Sequence, residues 1–331
     1  MNVFLTGSTG YIGQALIQQL LQKKVTIIAL CRPGSDRKAL QHPQIRIVEG
    51  DLSTTEVLRK GMQSCEQVYH LAAYARVWSK DKSVYREVNV DGTRHVLEAA
   101  SAAGVRKVVF TSTAGVLGPA VADRKPVDEN TQRVQPFFNE YEQTKWEAEQ
   151  LCLHYARESN LSVVIVNPSR VYGPGADTES NAISKLTTLF LRGKWRFIPG
   201  DGQSLGNYTY LDDVVDGHLA AMAKGRSGER YILGGENVTF DEFFHLLRKL
   251  SGKDVALYHL PIAVMLGFAK VESMKASLLD IRPLITSDWV KKYLFDWPLT
   301  SGKAMRELGY SITSLPVGLG KTILQLQSKI S

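Results

Sequence analysis

Thr6-Gly7-Ser8-Thr9-Gly10-Tyr11-Ile12-Gly13 closes the first apolar run of the chain, Asn2–Thr6, and leads into Leu16, Ile17, Leu20 and Leu21 at helical spacing. A strand, a turn with glycines at 7, 10 and 13, and a helix therefore follow one another without a break. Glycine permits both a tight turn and close approach of the backbone to a ligand. The helix N-terminus presents unpaired N–H groups to an anion. The glycine spacing differs from the commoner G-x-G-x-x-G, so the flanking strand and helix carry the reading. That context fits the pyrophosphate of a dinucleotide, with an ordinary strand-to-helix turn as the competing reading.

Outward from this turn the same alternation repeats. Val25–Cys31, Ile45–Glu49, Gln67–Leu71, Lys107–Thr111 and Ser162–Asn167 read as further strands, each apolar and several closed by Gly or Pro. Helical patterns fall between them, at Gly13–Lys23, Val84–Ala103 and Tyr141–Ser159. Strand-helix-strand repetition with right-handed crossovers predicts an α/β fold, a doubly wound parallel sheet of the Rossmann kind. From about Tyr172 the texture changes. Gly173-Pro174-Gly175 and Pro199-Gly200-Asp201-Gly202 punctuate shorter elements, with helical signals at Phe240–Ser251, Ile262–Ser273 and Ser314–Gln327. The expected division is an NADP-binding Rossmann domain over residues 1–171 and a smaller, mainly substrate-binding lobe over 172–331, some of whose segments return to the first domain.

The 331 residues include 44% apolar and 22% charged side chains, a globular composition that can bury a large core. The net charge of +7 is spread among acids rather than gathered into runs, which disfavours nucleic acid as a partner. Cys31, Cys65 and Cys152 lie far apart without a Cys-x-x-Cys pair, and the histidines include no His-x-x-x-His pair, so no metal site is indicated. No basic leader precedes the first strand, and no apolar stretch nears the roughly 20 residues needed to span a bilayer. A cytoplasmic protein is expected. Gly320-Lys321-Thr322 ends like a phosphate-binding P-loop but lacks its first glycine, with Leu315 in that place, and reads as a helix start.

The second strand bears on cofactor choice. It runs Ala29-Leu30-Cys31-Arg32 with no acid at its end to grip ribose hydroxyls, and Arg32 is suited to a 2′-phosphate. NADP(H) is favoured over NAD(H). Asp51-Leu52, just past the third strand, is placed for the adenine edge, with a turn-stabilising Asp as the alternative. Tyr141 and Lys145 stand four apart on one helical face, where an ammonium can bias the ionisation of a phenol. A dinucleotide turn together with a proton-transfer pair points to carbonyl reduction or alcohol oxidation.

Seven motifs in order then carry a family resemblance: Thr6-Gly7-x-x-Gly10-x-x-Gly13, Gly50-Asp51-Leu52, His70-Leu71-Ala72-Ala73, Asn89-Val90-x-Gly92-Thr93, Thr111-Ser112-Thr113-Ala114, Tyr141-x-x-x-Lys145 and Asn167-Pro168-Ser169-x-Val171-Tyr172-Gly173-Pro174. They cover the chain to about residue 225, and Lys303-Ala304-x-x-Glu307-Leu308-Gly309-Tyr310 is similar to the same family's last segment. The chain resembles the extended short-chain dehydrogenase/reductases, also called the NAD-dependent epimerase/dehydratase family. The resemblance implies a Thr113, Tyr141 and Lys145 catalytic set, with Thr111 and Ser112 as alternatives to Thr113. It further implies a cofactor site drawn from Gly7, Thr9, Gly10, Tyr11, Ile12, Gly13, Arg32, Asp51, Leu52, Leu71, Ala72, Ala73, Tyr141, Lys145 and Pro168. A homodimer through the helices near Val84–Ala103 and Tyr141–Ser159 is common in the family.

Within it, dehydratases follow the Thr with Asp-Glu, where this chain has Ala114-Gly115, and many UDP-sugar epimerases carry Arg-Asp-Phe where this chain has Gly206-Asn207-Tyr208. The pattern is closer to dihydroflavonol-reductase-like and 3β-hydroxysteroid-dehydrogenase-like members. That implies a carbonyl or alcohol substrate that is a rather apolar small molecule without a nucleotide handle. A nucleotide-sugar epimerase and a noncatalytic NADP-binding regulator or assembly factor are the alternatives. Trp78, Phe137, Phe138, Tyr172 and Trp195 read as core by default, although the resemblance brings several of these segments near the substrate.

Overall fold

Along the first strand Val3 and Leu5 join one apolar cluster and Phe4 another, the two-residue alternation of a strand covered on both faces. The computed structural model describes residues 1–76, 78–121, 123–175, 181–279 and 281–330. Its strands are β1 (Asn2–Thr6), β2 (Thr26–Cys31), β3 (Ile45–Glu49), β4 (Gln67–His70), β5 (Lys107–Thr111), β6 (Ser162–Pro168), β7 (Arg170–Tyr172), β8 (Phe197–Pro199), β9 (Leu205–Tyr210), β10 (Arg230–Leu233), β11 (Glu236–Thr239) and β12 (Tyr258–Leu260). A 7-stranded parallel sheet has the order β10-β6-β5-β4-β1-β2-β3. One face packs on the helices Tyr11–Gln22 and Leu211–Lys224, the other on Thr55–Met62, Gly92–Ala102 and Glu140–Glu158. This is the doubly wound Rossmann arrangement that the strand-helix alternation predicts.

The later residues divide between two places. β10 and the helix before it complete the large sheet, while β11-β9-β7 and β12-β8 form small sheets around a separate cluster that includes Tyr172, Phe190, Tyr208, Phe243 and Leu319.

Two expected helices differ. The run predicted as one helix over Val84–Ala103 is Ser83–Arg86, a wide π-helical turn at Glu87–Asp91, and Gly92–Ala102. The Asn89 side chain at that turn accepts from Tyr74 N (2.7 Å) and donates to Thr144 Oγ1 (3.0 Å), so tertiary hydrogen bonds hold the widened backbone. Gly320-Lys321-Thr322 lies inside the helix Leu315–Ile330 rather than at its start. The helix begins at Leu315 with Pro316 in its first turn, where a missing N–H costs nothing.

Candidate active site

The order of the large sheet reverses at β1, which lies between β4 and β2, so a crevice opens beyond the carboxyl ends of β1 and β4. The glycine turn fills one edge of it. Gly7 has φ +75°, and a Cβ there would stand 2.7 Å from Ala72 N and 2.8 Å from Leu71 C. The segment after β4 thus closes on the turn backbone to backbone. Thr6 Oγ1 fastens the contact, accepting from Ala72 N (3.1 Å) and pairing with His70 Nδ1 (2.7 Å). At Gly13 a Cβ would lie 2.1 Å from Gly7 O, so helix and turn need glycine to pack. Gly10 differs: its Cβ would meet Gly7 O alone, at 3.1 Å, and the position otherwise faces open space. No side chain caps the helix Tyr11–Gln22 and no acid stands in its first turn. Bare N–H groups beside an uncluttered glycine fit a pyrophosphate. Tyr11 adds a tie across the crevice, its Oη donating to Gly173 O at 2.9 Å.

The remaining cofactor candidates ring the same end of the sheet. Arg32 is exposed directly after β2. Sequence reasoning overlooked Arg37 in the same loop, which donates to Arg32 O (3.5 Å) while its guanidinium is paired with Glu49 at the end of β3. Two arginines five apart were the available signal. Asp51 Oδ1 accepts from Ser53 N (2.8 Å), Ser53 Oγ (2.6 Å) and Thr54 Oγ1 (3.1 Å), bonds that hold its carboxyl below the usual range. It therefore braces the turn into the helix Thr55–Met62. Leu52 is buried against Gly92, and His95 Nδ1 donates to its carbonyl (2.8 Å). Pro168 ends β6, in register with Leu233.

Tyr141 and Lys145 lie in the first two turns of the helix Glu140–Glu158, whose N-cap Asn139 accepts from Glu142 N at 2.9 Å. Tyr141 is partly exposed; Lys145 is 1% exposed, with Nζ 4.0 Å from the centre of the Phe110 ring. Burial holds the lysine down to about 8, against the opposing pull of Cys152 and Glu149. Burial also pushes the Tyr141 phenol well up, and Glu142 adds to the rise. The low dielectric thus favours the neutral form of both partners, opposite to the lowered phenol that an ammonium alone would produce. His70, buried at the end of β4, is held at about 3 by burial and by the charge of Lys145. It stays neutral at physiological pH and acts as a hydrogen-bonded brace, with Nε2 3.0 Å from Thr93 Oγ1.

Of the three hydroxyl candidates after β5, Thr111 is engaged with His218 Nε2 (2.8 Å) and Ser112 is buried. Thr113 is half-buried, its Oγ1 accepting from Gly115 N at 3.2 Å. Its carbonyl is tied to the tyrosine helix, because Asn167 Nδ2 donates both to Thr113 O (3.1 Å) and to Glu149 Oε1 (2.7 Å). Glu149, fully buried one turn after Lys145, in turn meets Arg230 Nη2 at 3.3 Å. Sequence reasoning missed this network. An acid on the buried side of a helix and an Asn ending an apolar strand were the signals that could have found it.

The far wall is aromatic. Phe138, three residues before Tyr141, packs at 5.3 Å on Phe295 and 5.6 Å on Trp297. Glu142 clamps that wall to the helix, accepting from Arg133 Nη2 (3.1 Å) and Lys292 Nζ (2.5 Å). At Gly206 a Cβ would stand 2.2 Å from Arg170 Nη1, and that guanidinium lies 5.5 Å from the Tyr208 ring and 5.3 Å from the Phe240 ring. Among the described residues no group of three His, Cys, Asp or Glu side chains could hold a metal ion.

Known proteins are similar to this chain in sequence and in fold. A putative dihydroflavonol 4-reductase of Synechocystis is 32% identical over 98% of this chain and 94% of that protein. Sterol demethylase protein B of Methylococcus capsulatus is 33% identical over 81% of this chain and 80% of its own length. A UDP-glucose 4-epimerase from Thermotoga maritima, solved with UDP-glucose, superposes with a TM-score of 0.83 at 26% identity over 100% of both chains. A Bacillus cereus UDP-glucuronic acid 4-epimerase in complex with NAD gives a TM-score of 0.78, also at 26% identity over 100% of both. With residues 3–234 matching the pattern of the NAD dependent epimerase/dehydratase family, the chain belongs to that family, the extended short-chain dehydrogenase/reductases, and is an NAD(P)-dependent oxidoreductase of CH–OH and carbonyl groups.

Proposed function

We propose that this protein reduces a ketone or aldehyde on a rather apolar small molecule with NADPH, or runs the reverse oxidation. The observation that carries the substrate class is the corner at Gly206, where many UDP-sugar epimerases carry an Arg for the diphosphate. Glycine is there instead, and the nearby Arg170 is packed between Tyr208 and Phe240 with Nη1 3.3 Å from Tyr208 Oη. The guanidinium at that corner is thus held by two aromatic rings, and Phe138, Phe295 and Trp297 suit an apolar ring. The names of the curated relatives, a dihydroflavonol reductase and sterol dehydrogenases, fit the same class.

A reduced nicotinamide cofactor, its pyrophosphate held at the turn Gly7–Gly13, would supply the hydride when bound. Tyr141 supplies the proton to the carbonyl oxygen, a role suited to a phenol that burial keeps protonated. The ammonium of Lys145 then stabilises the phenolate left behind, and Thr113 Oγ1 orients the substrate oxygen. Arg32, exposed at the end of β2, supports NADPH over NADH. Three free, buried cysteines suit a reducing, cytoplasmic setting.

Tyr141→Phe tests the assignment, since it keeps the ring and removes the proton. Single-turnover reduction should fall by about 10² to 10⁴ with NADPH affinity unchanged. A variant that turns over at the native rate removes Tyr141 from the mechanism. A second reading, UDP-sugar epimerase, is favoured by the structural neighbours. NAD retained through purification, together with interconversion of UDP-sugars, would replace the reductase reading with that one.

A further inference from the structure

The helix Ile262–Leu279 is covered on one side only. Ala269, Glu272 and Ala276 face inward, where the short helix Ser287–Lys291 packs against it. Val264, Phe268, Val271, Met274 and Leu278 recur at three- and four-residue spacing on the other side, and Phe268, Met274 and Leu278 are 48%, 64% and 80% exposed. Single exposed apolar side chains are ordinary, but a stripe running the length of a helix marks a covered surface. Leu284, 82% exposed, extends the patch past the helix end.

Charge selects what covers it. Among the described residues from 262 to 284, Lys270, Lys275 and Arg282 are exposed cations, while the single carboxylate, Glu272, is buried and accepts from Lys275 Nζ (3.1 Å) and Leu284 N (3.1 Å); Asp280 lies outside the described residues. The whole chain carries +7. A second copy docked on this face would bring the lysines of both copies into one buried interface, where excess like charge is costly. An anionic phospholipid surface takes the apolar stripe into its acyl boundary and leaves the lysines among the headgroups. At 18 residues the helix is about 27 Å long. No helix among the described residues is long and apolar enough to cross a membrane, so this one would lie in the plane of the surface.

We propose that the helix Ile262–Leu279 docks the protein, lying flat, onto an anionic phospholipid surface. The chain that follows it reaches the wall of the candidate site, through Lys292 on Glu142 and Phe295 on Phe138. Docking would therefore set that wall beside the bilayer, where lipid-soluble ketones concentrate. The docking itself does not rest on the proposed substrate class.

Flotation of the full chain with vesicles of phosphatidylcholine, with and without phosphatidylglycerol, tests the proposal at low and high salt. The native protein should float with the phosphatidylglycerol vesicles at low salt. A triple variant, Phe268→Ser with Val271→Ser and Leu278→Ser, should lose at least about tenfold in vesicle affinity while keeping the native melting temperature and NADPH affinity, since all three side chains are exposed. Lys270→Gln should lose roughly fivefold on the anionic vesicles. No flotation of the native protein, equal flotation on both vesicle types, or an undiminished triple variant would each overturn it. A native dimer that the triple variant converts to monomer would assign the face to a second copy instead.

Discussion

On the cofactor side of the crevice the turn Gly7–Gly13 meets Leu71, Ala72 and its own helix through backbone atoms, at positions where no Cβ fits. On the far side Phe138 meets Phe295 and Trp297, Arg133 meets Glu142 and Arg170 meets Tyr208 and Phe240, all through side chains. A backbone surface recognises what every dinucleotide shares, its pyrophosphate, and tolerates almost no change of sequence. A side-chain surface can be rebuilt residue by residue, so substrate choice is written there.

The strongest way to break this comparison is Gly13→Ala. Its methyl would fall 2.1 Å from Gly7 O, a backbone atom that cannot swing away. Folding stability should drop by about 3 kcal/mol or more, and NADPH affinity by over about a hundredfold. A variant that melts and binds like the native protein would show that the turn relaxes freely and that the cofactor side is not backbone-limited.

Lys145 probes the boundary between the two sides. Its folded value of about 8 lies below the ordinary lysine value of 10.5, so the unfolded chain binds the extra proton between those limits and stability rises with pH across that window. Below about pH 8 the buried charge costs its full amount, roughly 3 kcal/mol. Lys145→Met should therefore melt higher than the native protein near neutral pH, with the gap closing as pH climbs from 8 toward 10, while turnover is lost. A gap that does not change over this range would rule out charge burial as its source.

Arg32→Asp is the mildest of the three and sharpens the cofactor reading. Loss of one charge-assisted phosphate contact, with repulsion added, should weaken NADPH by at least about tenfold and leave NADH nearly unaffected. Titration of both cofactors checks this. Equal native affinities, unchanged by the substitution, would transfer the 2′-phosphate role away from Arg32.

The large sheet was legible because its signals are local. Apolar runs at β1, β2, β3, β5 and β6 match the strands to within a residue, and Phe240–Ser251 was readable from its helical pattern, which the structure opens with a Thr239–Glu242 capping box. The helix expected over Val84–Ala103 is present as helical backbone from Ser83 to Ala102, but its π-helical turn left no mark in the periodicity, because Asn89 answers to Tyr74 and Thr144, partners remote in sequence. Periodicity carried no trace of the Glu149–Asn167–Thr113 link either, since its members come from a helix, a strand and a loop. The helix predicted over Ile262–Ser273 runs on to Leu279, and nothing in its composition told which side would be left bare.

The sequence by itself determined the strands β1 to β6 with three of the helices between them, the glycine turn at the end of β1 and the four-residue register of Tyr141 and Lys145, because each depends on residues near one another in the chain. Only the tertiary structure decided that burial drives both members of that pair toward neutrality, that Arg170 fills the space at Gly206, and that one side of the helix Ile262–Leu279 faces solvent. Desolvation, close packing and exposure depend on segments brought together from distant parts of the chain, and no local pattern encodes them.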